Sequence, residues 1–343
     1  ALMQLDIVPE ELTPGSYWHP EEGLVSYFDL EKPKALLDDS PAELATGLRS
    51  VLVAAISKRL SGPEAGAWLS GGLDSSVMTC LAARQVGKLK TFCVGLEGAP
   101  DLESARLVAD SVGTEHHELI PTKKLLLEAL PQVIFHMESF DALLLRSSLT
   151  NFLVGRLASD HVPAVFSGEG GDELFAGYDY LKGMPPSELP DELVDITNRL
   201  HNTALQRVDR CSMGSGLTAY VPFVDRDVVE YALAIPHKYK LYRGEDKPVE
   251  KWILRKAVEG LLPEPVLWRK KAKFWEGAGV QDVLAEYAEE TISDGDFARE
   301  RKLQEGQPLN TKEELMYYRL FKEQFGEELA QQVGRTKGAP VDA

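Results

Sequence analysis

The sequence predicts an α/β fold, a doubly wound parallel sheet with a mostly helical C-terminal half, on three observations. Between residue 65 and about residue 180, short apolar runs of strand length alternate with stretches whose apolar residues recur at helical spacing. Two of those runs, ending at Leu69 and Phe166, lead into glycine-rich acidic loops. Beyond residue 190 the spacing is mostly helical. Strands that alternate with helices argue for parallel pairing with helices on both faces.

Residues 1–35 read as short extended pieces around LTPGSYW, where Pro14 and Gly15 set a bend. Leu44, Leu48, Val51, Leu52, Ala55 and Ile56 recur at helical spacing and predict a lead-in helix over 36–60. AGAWLS is the first buried strand, followed by a helix from about Asp74 that Gly87 ends. KTFCVGL is a second strand, and Asp101 is placed to cap a helix through ESARLVADSVG. HHELIP is a third, shorter strand. Helical stretches over 122–138 and 146–159 lead to a fourth strand in PAVFSGEGG. A Thr311-x-x-Glu314 capping box opens a terminal helix with Leu315, Tyr318, Phe321 and Phe325 on its core face, and residues 334–343 read as a loose tail.

At 343 residues the chain is long enough for more than one unit. An apolar content of 44% and a charged content of 27% are those of a soluble globular protein. No apolar stretch has membrane-helix length, and no signal peptide is expected. Cys80, Cys93 and Cys211 lack the spacing of a disulfide framework or a metal knot, which points to the reducing cytoplasm. A net charge of −17 argues against a nucleic-acid binder, which needs a basic field to meet phosphates.

In parallel sheets of this kind ligands sit beyond the carboxyl ends of the strands, where both acidic loops fall. In SGGLDSS (70–76), Gly71 and Gly72 let backbone N–H groups approach an anion, and Ser70, Ser75 and Ser76 add hydroxyl donors. Asp74 would repel a phosphate unless a cation lay between them, and Mg²⁺ is the natural bridge. A bland alternative makes Gly-Gly a tight turn and Asp-Ser-Ser a helix cap. The second loop, VFSGEGGDELFAGYDY (165–180), weighs against it by placing Glu169 and Asp172 among small residues after another apolar strand. Two such loops suggest two carboxylates sharing a metal–phosphate.

SGGLDSS resembles the signature of the PP-loop ATP pyrophosphatases, whose sheet is adenine nucleotide alpha hydrolase-like. Together with SGEGGDELFAGY (167–178), the chain is similar to the synthetase domain of glutamine-hydrolysing asparagine synthetases. Further matches run through FCVGLEGAPDLESARLVADSVGTEHHEL (92–119), QRVDRCSM (206–213), VPFVDR (221–226), LRKAVEGLLPE (254–264) and WRKKAKFWEGAG (268–279). The resemblance implies an AMP- and pyrophosphate-forming amide ligase that adenylates a carboxylate, aspartate in the family, and aminates it with ammonia. It places Ser70, Gly71, Gly72, Asp74, Ser75 and Ser76 on the pyrophosphate of ATP, with Asp74 and Asp172 on Mg²⁺. Backbone around Val94, Ser167 and Gly168 would frame adenine and ribose. Glu169 would manage the incoming amine, Lys271 would steady the α-phosphate, and Arg146 would lie near the substrate carboxylate. The plainer alternatives make Lys271 one of a solvated basic cluster with Arg269, Lys270 and Lys273, and Arg146 an ordinary helix-start arginine.

By the same resemblance, 1–38 are strands like the joint after a glutaminase domain, 39–185 the ATP-binding α/β core, 186–330 the helical part of the synthetase domain and 331–343 a tail. Three features depart from the family. No N-terminal cysteine nucleophile precedes residue 40, so three alternatives stay open: a glutaminase on a separate chain, ammonia used directly, or an N-terminal domain that has been removed; on this sequence alone no glutamine hydrolysis is expected. Leu143 and Leu144 stand where the family carries a threonine pair, and Leu offers a substrate no hydrogen bond. Thr218-Ala219-Tyr220 stands where Glu-x-Arg is common. Glu169 separates the chain from β-lactam-forming relatives, which place Tyr there, and favours an external amine. The alternatives are the same chemistry on another carboxylic acid, a PP-loop RNA-modifying enzyme, which the charge and cysteines disfavour, and a non-catalytic partner. Neither membrane nor nucleic acid is an expected partner; a homodimer is left open.

Overall fold

A computed structural model describes residues 12–62, 64–244, 247–270, 278–303 and 308–335. An antiparallel hairpin, β1 (Ser16–His19) and β2 (Gly23–Ser26), comes first. Gly15 turns into it at φ +72, and any Cβ there would overlap the Phe28 carbonyl. Helix α1 (Pro41–Leu60) follows; it starts at Pro41 rather than at the expected residue 36, because a capping box between Ser40 and Glu43 opens it there. Leu44, Leu48, Leu52, Ala55 and Ile56 are buried as their spacing predicts.

The α/β core then runs β3 (Ala65–Trp68), α2 (Leu73–Ala83), β4 (Lys90–Val94), α3 (Pro100–Val112) and β5 (Glu115–Leu119). It continues with α4 (Lys123–Met137), α5 (Ala142–Ser159), β6 (Ala164–Phe166) and the single turn α6 (Gly171–Leu174). Helices α7 (Leu189–Asn198) and α8 (Ala204–Met213) precede a further strand, β7 (Thr218–Tyr220). Helices α9 (Arg226–Ala234), α10 (His237–Lys240), α11 (Trp252–Ala257), α12 (Glu264–Leu267), α13 (Val280–Thr291), α14 (Asp294–Glu300) and α15 (Lys312–Phe325) complete it.

The five strands form one parallel sheet in the order β5-β4-β3-β6-β7. Side chains alternate across it with period two. Ala65, Ala67, Cys93, Ala164 and Phe166 join the core under α1, α2, α3, α9 and α11. Trp68, Phe92, Val94 and Val165 join the opposite core under α4, α5, α8 and α15. The doubly wound expectation therefore holds.

Four further local expectations are corrected. Helix α2 begins at Leu73, one residue early, and ends at Ala83 with Arg84 as its cap rather than at Gly87. Helix α3 begins at Pro100 after Ala99, so Asp101 lies inside the first turn and is buried instead of capping. Pro needs no N–H partner at a helix start, which lets the helix begin ahead of the acid. Helix α5 begins at Ala142, not 146, because Asp141 accepts from the Leu144 N–H at 2.8 Å. Strand β7 was hidden within the part read as helical. It is three residues long, too short to show a period, and its pairing with β6 makes it a strand. The terminal helix matches its prediction, with Thr311 accepting from the Glu314 N–H at 3.1 Å and Leu315, Tyr318 and Phe321 buried.

Lys240 is only 2% exposed, and no carboxylate pairs with it among the described residues. Burial alone pushes its ammonium down to about 7. The unfolded chain therefore binds that proton more tightly, and stability rises with pH between about 7 and the free-lysine value of ~10.4. In urea unfolding across pH 7–10, Lys240→Met should be more stable than the parent at pH 7 and rise less steeply; equal slopes would contradict this.

Candidate active site

The first loop leaves β3 through Ser70, Gly71 and Gly72 and enters α2. Gly71 has φ +69, and a Cβ there would overlap the backbone at Ser104 and Ala105. Gly72 is the N-cap of α2 in extended conformation and, being glycine, brings no side chain to cap that end. The first-turn N–H groups and the helix dipole thus form a positive, anion-accepting end. This disposes of the bland reading in which Asp-Ser-Ser is a cap. Ser76 donates to the Gly72 carbonyl at 2.7 Å and Ser75 to the same carbonyl at 3.1 Å, while the Ser70 and Ser75 hydroxyls lie 3.1 Å apart. The three hydroxyls brace the turn.

The second loop leaves β6, the parallel neighbour of β3. The chain winds from β3 toward β4 and β5 on one side and from β6 toward β7 on the other, so these two strand ends flank the switch point. The Ser167 N–H donates to the Tyr220 carbonyl at 2.8 Å, which ties this loop to the end of β7. Its glycines fit against the first loop: a Cβ at Gly168 would stand 2.7 Å from the Ser75 nitrogen, and one at Gly171 would overlap the Asp74 carboxylate.

Asp74 and Asp172 meet at Lys251. Its ammonium lies 2.6 Å from Asp172 Oδ1 and also contacts Asp74 Oδ2. Lys251 is 4% exposed, has φ +55 and precedes α11, and its backbone N–H donates to the Phe175 carbonyl at 3.0 Å. A Cβ at Gly177 would overlap both Asp172 and the Lys251 side chain. Burial alone would depress the Lys251 ammonium; the Asp172 and Asp74 carboxylates reverse that and hold it above the ordinary lysine value. Two carboxylates converging on one positive charge fit the donor set a phosphate-bound Mg²⁺ uses. Sequence reasoning missed Lys251, because one lysine before an apolar run carries no local signature.

Glu169 pairs through Oε1 with Arg207 Nη2 at 2.8 Å, and Arg207 Nη1 reaches Ser147 Oγ at 3.5 Å. Burial, and next the Asp172 charge, push Glu173 up to about 7, and the Tyr178 hydroxyl donates to it. Arg269 donates to the Gly71 carbonyl at 3.2 Å and to Asp101 at 2.7 Å, which pins the segment after α12 to the first loop. Burial raises the Asp101 pKa against the pull of Arg269. Arg207 and Arg269 were not singled out from sequence as site residues; both lie in the matched motifs. Lys271 lies outside the described residues. The Val94 side chain is buried in the core beneath the second face, so only its backbone faces the strand ends.

Arg146 pairs with a carboxylate of the terminal helix. Its Nε donates to Glu313 Oε1 at 3.0 Å, its Nη2 takes the other oxygen, and the Tyr317 hydroxyl donates to Oε1 at 2.6 Å. Glu313 is 2% exposed. The arginine expected beside a substrate carboxylate is thus engaged by a carboxylate of the protein's own terminal helix.

The family model for asparagine synthase matches residues 47–191 and 185–339. A probable asparagine synthetase [glutamine-hydrolyzing] of Schizosaccharomyces pombe is 37% identical over 94% of this chain and 63% of its own length. Asparagine synthetase [glutamine-hydrolyzing] 2 of Lotus japonicus is 37% identical over 81% of this chain and 50% of its own. Asparagine synthetase [glutamine-hydrolyzing] 1 of Saccharomyces cerevisiae is 35% identical over 80% and 56%. The chain thus spans between half and two thirds of these relatives' lengths. Among solved structures, an NMN synthetase from Francisella tularensis aligns with a TM-score of 0.39 at 14% identity over 89% of this chain and 100% of its own, too distant to bear on the assignment.

Breaking a buried ion pair on one side leaves the other charge uncompensated. Arg146→Met should cost about 3–5 kcal/mol in urea unfolding, and the double variant with Glu313→Gln should recover much of it. A loss below about 1 kcal/mol would mean that the pair has no structural role.

Proposed function

This chain belongs to the asparagine synthase family, and on that footing we propose that it is an ATP-dependent, AMP- and pyrophosphate-forming amide ligase that adenylates aspartate and aminates it with ammonia. The observation that carries the reading is the meeting of Asp74 and Asp172 on one buried cation beside the uncapped start of α2. The first-turn amides of α2, with Ser70, Gly71, Gly72, Ser75 and Ser76 around them, receive the β- and γ-phosphates of ATP. Asp74 and Asp172 hold Mg²⁺, which supplies charge neutralisation at the departing pyrophosphate. Backbone at Val94, Ser167 and Gly168 frames adenine and ribose, and Lys271 steadies the α-phosphate. An acid oxygen bonds to the α-phosphorus as the bond to pyrophosphate breaks; ammonia nitrogen then bonds to the acyl carbon as AMP leaves. Glu169, oriented by Arg207, takes the proton the amine loses. Positioning and charge neutralisation carry most of such a reaction, which suits a cleft built from braced loops.

Ammonia reaches the site free or from a glutaminase unit. The reading places the enzyme in the cytoplasm; no helix among the described residues is long and apolar enough to cross a membrane. A second reading, the same chemistry on another carboxylic acid, is favoured by the pairing of Arg146 with Glu313 and by Leu143 and Leu144 at the start of α5.

Pyrophosphate and AMP released on mixing the chain with ATP, Mg²⁺, ammonium and a panel of carboxylic acids decide between these readings. Release with aspartate supports the first, and release with another acid alone supports the second. Silence across the panel overturns both. Glu169→Gln should keep acid-dependent ATP–pyrophosphate exchange and lower amide formation by about 10²–10⁴-fold; Asp74→Asn should lose both steps.

A further inference from the structure

We propose that Lys251 is a built-in counter-cation that keeps free divalent metal out of the cleft, so that metal enters only together with nucleotide. The inference rests on the reading of Asp74 and Asp172 as magnesium ligands and adds the order in which the ligands arrive. The Lys251 ammonium already stands where the two carboxylates converge. Its place is built rather than incidental. The left-handed backbone at Lys251 is fixed by the bond from its N–H to the Phe175 carbonyl, and its own carbonyl accepts from the Arg255 N–H at 2.9 Å. Gly177 leaves the space that the side chain and Asp172 fill.

Charge arithmetic then separates the two metal states. Two carboxylates and one ammonium leave a single net negative charge among these three groups. A free dication arriving there would have to displace a buried ammonium from both partners or sit beside it, and would also shed hydration that Mg²⁺ gives up reluctantly. A triphosphate changes the balance. It brings oxygen ligands for the metal and negative charge for Lys251, and the uncapped amides of α2 receive it. Lys251 then has an anion to face, and the carboxylates are released to the metal. Metal and nucleotide therefore strengthen each other's binding by the same factor.

The probe is Mn²⁺ bound to the full chain, counted by electron paramagnetic resonance after equilibrium dialysis with or without α,β-methylene-ATP, the metal held by the analogue alone being subtracted with a protein-free blank. The parent should bind Mn²⁺ at least about tenfold more tightly with the analogue than without it. Lys251→Gln should bind Mn²⁺ without nucleotide at least about tenfold more tightly than the parent, with the coupling falling towards one, while Lys251→Arg keeps the parent's pattern. Equal nucleotide-free affinity in the parent and a folded Lys251→Gln chain would overturn the proposal. If that variant does not fold, the parent alone still decides: equal Mn²⁺ affinity with and without the analogue also overturns it. Absence of Mn²⁺ binding even with the analogue would bring down the magnesium assignment itself, and the proposal with it.

Discussion

Two carboxylates repel each other at close range, and here one buried ammonium holds them together. The Asp74–Lys251–Asp172 cluster ties the first turn of α2, the turn after β6 and the entry to α11 into one wall. Each member would be costly to bury alone, and removing the ammonium would leave two carboxylates facing each other without a counter-charge. Hence the surrounding backbone is so specific. Gly168, Gly171 and Gly177 stand where a Cβ would collide with another member of the wall, and Lys251 accepts a backbone conformation that side chains rarely adopt.

The cleft also divides labour between the two halves of the chain. The N-terminal part supplies carboxylates and backbone donors at adjacent strand ends. The part after residue 190 supplies cations that reach into those loops: Arg207 to Glu169, Lys251 to both aspartates, and Arg269 to the Gly71 carbonyl. A chain with a net charge of −17 thus gathers positive groups where a polyanionic ligand would need them. Packing the helical part onto both faces of the sheet is therefore a condition for the site as well as for the core.

Much of the architecture was legible from local pattern. The Thr311–Glu314 start, the alternation of strands and helices and the glycine-rich strand ends all follow from interactions within a few residues. Other features depend on partners that the local pattern does not show. Asp101 has the chemistry of a cap, yet Pro100 begins its helix and the acid turns inward to Arg269. Strand β7 has no period to detect and exists because β6 offers it an edge. Arg146 sits in a family motif, and only the approach of α15 gives it Glu313.

The sequence by itself determined the fold class, the two acidic turns, their place at strand carboxyl ends and the family the chain belongs to. These rest on periodicity, turn chemistry and motif spacing, all of them short-range. Tertiary structure alone decided which charges face each other. Lys251 and Asp74 are 177 residues apart and Arg146 and Glu313 are 167 apart. No periodicity marks a pair at such separation; its existence depends on helices packing close enough to exclude water, and only then does a buried charge have to find its partner.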